Sequence, residues 1–162
     1  MNPSNASRTA LAASLMRAVH SRTDPVPLLD DVWGDRLVPE SVRAAARQAV
    51  LDRMDPDARA NALASPESVL DRALRTNAAY ADVIIRARYT EDALQAAVAR
   101  GIDQYVIIGA GFDSFACRRP AYATKLRIFE VDHPATQTLK RQRLMECGVP
   151  ESDLLHLIAA DL

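Results

Sequence analysis

The sequence contains few of the residues that mark several classes of protein. It has two cysteines, Cys117 and Cys147, and only 5% of its residues are aromatic. The cysteines lack a CxxC spacing, which indicates reduced thiols in a cytoplasmic protein and argues against a metal site. No internal repeat or low-complexity segment is present.

An excess of charge and a long hydrophobic run are also missing. Lysine plus arginine (20) nearly balance aspartate plus glutamate (21), and the basic residues are spread along the chain. This pattern predicts no nucleic-acid partner. No apolar stretch is long enough to cross a bilayer, so we expect no membrane partner. With 49% apolar residues among 162, the chain can bury one core of ordinary size. We expect the protein to act on a small molecule.

The first hundred residues have helical periodicity. Apolar residues recur at helical spacing from Ser4 to His20, and proline-containing breaks separate this segment from later helical patterns. A helix from Pro39 towards Met54 is expected. The last pattern runs from Pro66 to about Arg100, with a break expected near 89–90. Residues 1–100 are therefore predicted to form a helical N-terminal cap.

Residues 101–162 have a different pattern. Three apolar runs, at 104–109, 126–131 and 154–160, read as strands, and a helix is expected at 134–147. Buried strands that alternate with helices pair in parallel, through right-handed crossovers. The sequence therefore predicts the first three strands of an open α/β sheet, which together with the cap would form one structural unit.

A glycine turn follows the first predicted strand. Gly109 and Gly111 flank Ala110, and missing Cβ atoms allow a ligand to lie directly on the main chain. The simpler interpretation is a turn that requires glycine for its backbone angles. Asp132 ends the second strand, 21 residues after Gly111, where a carboxylate can bind both hydroxyls of a ribose. Glu130, on the same face of that strand, remains an alternative.

Two residues after the turn bear on the kind of nucleotide. Ser114 occupies the place of the third glycine of a dinucleotide motif, and Asp113 would repel a pyrophosphate. Both features disfavour an NAD-dependent oxidoreductase, which stays as an alternative. S-Adenosyl-L-methionine carries a free ammonium group that an acid would attract. Asp113 could attract this group or could instead orient the turn by accepting bonds from backbone amides.

The runs VIIGAGFDSFACRRP and IFEVDHPATQTLKRQRL resemble the signature of the leucine carboxyl methyltransferase family. The segments SRTALAASLMRAVHSRTDPVPLLDD and IIRARYTEDAL are similar to its bacterial, mycobacterial-type members. The resemblance covers nearly the whole chain and corresponds to the N-terminal half of the family. It implies a class I methyltransferase (Rossmann-like) fold and S-adenosyl-L-methionine-dependent methyl transfer to an oxygen, in a carboxylate or hydroxyl of a small molecule or peptide.

The resemblance also implies residues that bind the cofactor. By position, Gly109, Ala110 and Gly111 would line its methionine part. Asp132 would bind the ribose. Asp161 and Leu162, at the end of the third strand, would meet the adenine.

An arginine on the helix before the first strand would hold the cofactor's carboxylate. Arg86 matches this position best, and Arg88 is second, because a guanidinium can bind a carboxylate through two bonds. No catalytic residue is assigned. His133 and His156 are expected to be structural, and Lys140, Arg141 and Arg143 are expected to form a solvated helix face.

Chains of the family are generally longer. We therefore expect a fragment or truncated product, in which the first strand exposes an unpaired apolar edge that could support self-association. A non-catalytic remnant that at most binds the cofactor is the alternative.

Overall fold

Residues 7–63 and 66–100 fold mainly into helices, as their apolar spacing predicts. The computed structural model describes residues 7–63 and 66–161. Helices in the first part of the chain are α1 (Arg8–Thr23), α2 (Trp33–Leu37), α3 (Glu40–Leu51), α4 (Pro56–Leu63), α5 (Pro66–Arg75) and α6 (Tyr80–Ala99). Ser7 caps α1, since its Oγ accepts a bond from the backbone N–H of Ala10 at 3.2 Å. Residues 4–6 of the predicted first helix lie outside the described residues.

The break predicted near 89–90 is wrong, because α6 continues through Tyr89 and Thr90. Thr90 is accommodated since its Oγ donates to the carbonyl oxygen of Arg86 at 2.8 Å. The helical pattern breaks earlier, between α5 and α6, where the side chain of Asn77 accepts a bond from the N–H of Ala79 at 2.9 Å. Such local side-chain bonds offer the backbone an alternative to the helix.

A three-stranded parallel sheet follows the cap. Its strands are β1 (Gln104–Ile108), β2 (Arg127–Asp132) and β3 (Leu155–Ala159), in the order β1-β2-β3. Between them lie α7 (Phe115–Arg118), a 3₁₀ turn (Ala121–Ala123) and α8 (Pro134–Glu146). This arrangement confirms the predicted α/β fold with an incomplete, class I methyltransferase-like sheet after a helical cap.

The two faces of the sheet differ in burial. Tyr105 and Ile107 of β1, with Ile128 of β2, pack against Leu94 of α6 and Phe115 of α7. Side chains of the opposite face are exposed or half-buried, and Val106 and Ile108 are 55% and 72% exposed. Among the described residues, β1 pairs with β2 alone. In the part of the chain that the structure describes, no strand pairs with the other edge of β1.

A second cluster of buried side chains joins the cap to the sheet. Phe112, in the turn after β1, and Leu144 of α8 are buried together with residues of the helical cap. The cap residues of this cluster are Leu11, Leu15, Met16, Val19, Leu37, Val38, Leu70, Leu74, Val83 and Ile84. Burial of each large apolar side chain contributes about 1.5–3 kcal/mol, so the cap and the turn stabilise each other.

Within residues 7–63 and 66–161, no helix combines the length and the apolar character needed to cross a bilayer.

Candidate cofactor site

The chain turns sharply after β1, over residues 109–113. Gly109 and Gly111 have φ angles of +69° and +53°, in the left-handed region that favours glycine. The N–H groups of Gly109 and Ala110 both donate to the carbonyl oxygen of Val131, at 2.9 and 3.2 Å. The N–H of Asp113 donates back to the carbonyl oxygen of Ala110 at 2.8 Å, which closes the turn.

The two glycines of the turn face different surroundings. A Cβ atom added to Gly111 would lie 2.6 Å from the Cβ of Ala10, so α1 packs directly on this residue. A Cβ atom added to Gly109 would meet no atom within 4 Å. Gly111 is therefore needed for packing, whereas Gly109 leaves its backbone open to a cavity.

Asp132, at the end of β2, is bonded to this turn. Its Oδ2 accepts from the N–H of Gly111 at 2.6 Å, and its Oδ1 accepts from the N–H of His133 at 2.7 Å. A carboxylate has about four lone-pair positions, so each oxygen keeps capacity for another donor. The geometry joins the predicted turn and the predicted acid into one site.

A cavity of about 700 Å³ lies above the turn, between α1 and α6. It is bounded by six of the residues predicted to bind a cofactor, namely Arg86, Gly109, Ala110, Gly111, Asp113 and Asp132. Arg88 and Asp161 do not line it. Asp161 is exposed after β3, and Leu162 lies outside the described residues.

The two candidate arginines differ in their surroundings. Arg86 is 70% exposed at the cavity wall and reaches Asp82 only at 3.8 Å. Arg88 binds Asp92 through its Nε at 3.0 Å and donates to the carbonyl oxygen of Leu28 at 3.3 Å. Of these two arginines, Arg86 lines the cavity and Arg88 does not.

The carboxylate of Asp113 is bonded to the backbone. Its Oδ1 accepts from the N–H of Phe115, at the start of α7, at 2.8 Å. Two roles were predicted for Asp113, and this contact fits the one in which its carboxylate orients the turn by accepting bonds from backbone amides. Attraction of an ammonium group stays a prediction.

Glu130 and Lys140 are both buried, which the sequence did not predict. Lys140 is 1% exposed and forms an ion pair with the fully buried Glu130, so the prediction of a solvated lysine is wrong. Burial raises the pKa of Glu130, and the neighbouring Lys140 opposes this effect. Lys140 follows the buried Thr136 and Gln137 at helical spacing, and this spacing could have signalled its burial. Of the two candidate acids, Asp132 lines the cavity and Glu130 does not.

The other two basic residues on α8 bond to backbone. Arg141 donates to the carbonyl oxygen of Leu157 at 3.3 Å, from an exposed position. Arg143 donates through its Nε to the carbonyl oxygen of Leu37 at 3.3 Å. The prediction of a solvated face therefore describes Arg141, whereas Arg143 links α8 to the cap.

Two arginines at the cavity wall, the buried Arg17 and the half-buried Arg118, were not predicted as part of the site. Arg17 of α1 binds the fully buried Asp31 through its Nε at 2.8 Å. Arg118 of α7 binds Glu91 of α6 through both terminal nitrogens. Burial opposes the charge of Arg118, but the bonds to Glu91 raise its pKa above the usual value. Sequence periodicity gives no signal for these pairs, because each joins residues from separate elements.

The histidines occupy positions that fit structural roles. The Nδ1 of His133 accepts a bond from the N–H of Ala135 at 3.2 Å and so caps α8. His156 stacks on Phe129 on the open sheet face, with ring centroids 4.6 Å apart. Within the described ranges, no group of three or more His, Cys, Asp or Glu side chains is placed to hold a metal ion.

A parallel sheet with a glycine turn after β1 and an acid at the end of β2 defines an α/β protein with a nucleotide-type site. The model of the family "Leucine carboxyl methyltransferase" matches residues 10–162. The chain belongs to this family, as its sequence motifs indicate.

Curated relatives agree with this assignment. YktD of Bacillus subtilis (strain 168) is 30% identical over 164 residues, covering 99% of this chain and 54% of YktD. Franean1_4929 of Parafrankia sp. (strain EAN1pec) is 35% identical over 155 residues (96% and 44%). A protein of Mycolicibacterium smegmatis is 31% identical over 156 residues (95% and 47%). All three carry provisional names as S-adenosyl-L-methionine-dependent methyltransferases, and the chain spans about half the length of each.

Proposed function

We propose that this chain forms the cofactor site of an S-adenosyl-L-methionine-dependent methyltransferase. The observation that carries the proposal is the hydrogen bond from the Gly111 amide to the Asp132 carboxylate. Both residues line the cavity, and at Gly109 the backbone borders the cavity with no side chain in between. This geometry occurs in a chain of the leucine carboxyl methyltransferase family. The acceptor is proposed to be a carboxylate or hydroxyl oxygen of a small molecule or peptide.

The residues at the cavity fit this cofactor. Its volume of about 700 Å³ lies within the range of roughly 300–1,000 Å³ that is common for small-molecule sites. Asp132 keeps lone pairs for ribose hydroxyls, and the open backbone at Gly109 permits close approach of the methionine part. Arg86 supplies a guanidinium for the carboxylate of that part. The adenine contacts of Asp161 and Leu162 remain proposals from the family resemblance.

The bound cofactor supplies a methyl group on a sulfonium, which is already a good leaving group. The protein then has to align the acceptor and exclude water. A carboxylate acceptor needs no general base. Tyr105, which lines the cavity, is unsuited to that task because burial raises the pKa of its hydroxyl above the usual value. We therefore assign no catalytic base among the described residues.

Isothermal titration with S-adenosyl-L-methionine tests the proposal. We expect Asp132→Ala to weaken binding about tenfold or more, because a hydrogen bond to a charged group contributes about 1.5–3 kcal/mol. Asp153→Ala, in the exposed loop before β3, is the matched control and should bind as the wild type does. Equal binding by wild type and Asp132→Ala would overturn the assignment.

Titration with NAD and an assay of methyl transfer separate the alternatives. Tighter binding of NAD than of S-adenosyl-L-methionine would favour an oxidoreductase, although Ser114 and Asp113 disfavour it. Cofactor binding without methyl transfer to any carboxylate or hydroxyl acceptor would favour a non-catalytic remnant. Methyl transfer by the 162-residue chain alone would exclude that remnant.

We also propose that the chain self-associates through the unpaired edge of β1. The supporting observation is the exposure of Val106 and Ile108 in β1, a strand that pairs with β2 alone among the described residues. A cytoplasmic location is proposed because Cys117 and Cys147 are both free thiols.

A further inference from the structure

Two buried cations hold successive carbonyl groups of the cofactor turn. The Nη2 of Arg17 donates to the carbonyl oxygen of Phe112 at 2.8 Å. The Nζ of Lys140 donates to the carbonyl oxygen of Asp113 at 2.7 Å. Arg17 comes from α1 in the cap and Lys140 from α8 beside the sheet, so the turn is held from two independent elements.

Each cation has a fully buried carboxylate partner. Arg17 is 8% exposed and binds Asp31, which is 0% exposed. Lys140 is 1% exposed and binds Glu130, which is also 0% exposed. The carboxylates compensate the cost of burying the cations, and the charged donors form stronger bonds to the carbonyls than neutral donors would.

Buried ion pairs of this kind are a weak source of stability, because apolar residues of similar volume often do as well or better. The common feature of the two pairs is instead the contact with the turn.

These contacts fix the orientation of two peptide planes. A peptide unit is planar, so a held carbonyl also fixes the N–H of the next residue. The bond from Arg17 to the Phe112 carbonyl and the bond from the Asp113 N–H to the Ala110 carbonyl hold one plane from both sides. Lys140 holds the next plane, after which the Asp113 side chain accepts from Phe115.

We propose that Arg17 and Lys140 are positioning residues, which set the backbone conformation of the turn that receives the methionine part of the cofactor. The inference rests on the proposed function for its ligand, but its geometric part concerns the turn alone. Because the two cations act through the carbonyls of Phe112 and Asp113, neither needs to touch the ligand.

The test uses a double variant that leaves no unpaired buried charge. Lys140→Met with Glu130→Gln removes the donor to the Asp113 carbonyl and neutralises its partner. The control is Arg141→Gln, which removes an exposed cation from the same helix. Hydrogen exchange of the ligand-free chain should show amides 109–115 exchanging at least about tenfold faster in the double variant, with the amides of β2 unchanged.

Ligand binding provides a second readout. We expect affinity for S-adenosylhomocysteine to fall about tenfold in the double variant, because a turn that holds its binding conformation only about a tenth of the time lowers the apparent affinity by that factor. Affinity for methylthioadenosine, which lacks the amino-acid part, should change much less. Equal losses for both ligands, or unchanged exchange in the turn, would overturn the inference.

The outcomes separate this inference from the proposed function. If the wild type binds neither ligand, the proposed function fails, and hydrogen exchange still decides whether the cations order the turn. If the first double variant does not fold, Arg17→Met with Asp31→Asn applies the same test to the Phe112 carbonyl. Failure of both double variants to fold would refute a positioning role, because the cations would then support the whole fold.

Discussion

Alanine at Gly109 and alanine at Gly111 should have different effects, although the two residues are only two positions apart. Both have a positive φ, and an L-residue in this region costs about 1–2 kcal/mol. Gly148, with a φ of +71° and no atom within 4 Å of an added Cβ, provides a matched control for this backbone cost. Gly109 has nearly the same φ and the same open surroundings, but it faces the cavity.

Gly111→Ala adds a steric cost to the backbone cost. Its Cβ would lie 2.6 Å from the Cβ of Ala10, about 1 Å inside the optimal separation of two carbon atoms. Relief requires movement of α1, and overpacking of this kind costs about 1–3 kcal/mol. We therefore expect Gly111→Ala to lower the free energy of unfolding by about 2–5 kcal/mol, and Gly109→Ala and Gly148→Ala by only about 1–2 kcal/mol.

Urea unfolding followed by circular dichroism measures these differences, and titration with S-adenosylhomocysteine measures binding. Gly109→Ala should lose affinity although its stability equals that of Gly148→Ala. Equal stability of Gly111→Ala and Gly148→Ala would refute the packing of α1 on the turn. Wild-type affinity in Gly109→Ala would refute the cavity as the ligand site.

Three further predictions concern other parts of the chain. Partial burial raises the pKa of Cys117 to about 12, so its alkylation at pH 8 should be roughly a thousandfold slower than that of a free thiol with a pKa of about 8.5; comparable rates would contradict the shielding of this half-buried thiol. Val106→Lys should reduce self-association in analytical ultracentrifugation, whereas Met145→Lys, at an exposed position on α8, should not; equal effects would exclude the β1 edge. Ser7→Ala should destabilise the chain by about 1 kcal/mol through loss of the bond to the Ala10 amide, and an unchanged thermal midpoint would show that this cap contributes nothing.

Local signals explain what the sequence predicted correctly. The strand β1 has a continuous apolar run, and the turn after it has glycines whose positive φ angles the structure confirms. The proximity of Gly111 and Asp132 is predictable from the sequence, because the carboxyl ends of adjacent parallel strands lie at the same edge of a sheet. The helices of the cap are predictable from the spacing of apolar residues and from the positions of the prolines.

Features that depend on tertiary packing could not be predicted. The burial of Lys140 requires Glu130 beneath it on β2, and the burial of Arg17 requires Asp31 from a separate segment. A lysine on a helix is usually exposed, so residue type alone favoured the wrong interpretation. The break between α5 and α6 depended on a side-chain bond of Asn77, for which no proline or glycine gave a signal.

The central claim is that the turn at Gly109 and Gly111 binds S-adenosyl-L-methionine. Its most direct test is an NMR titration of a sample labelled with ¹⁵N-glycine, since the chain has five glycines and therefore gives five amide signals. Saturating S-adenosylhomocysteine should shift the signals of Gly109 and Gly111 and leave those of Gly101 and Gly148 in place. Shifts confined to the remote glycines, or no shifts at all, would contradict the claim.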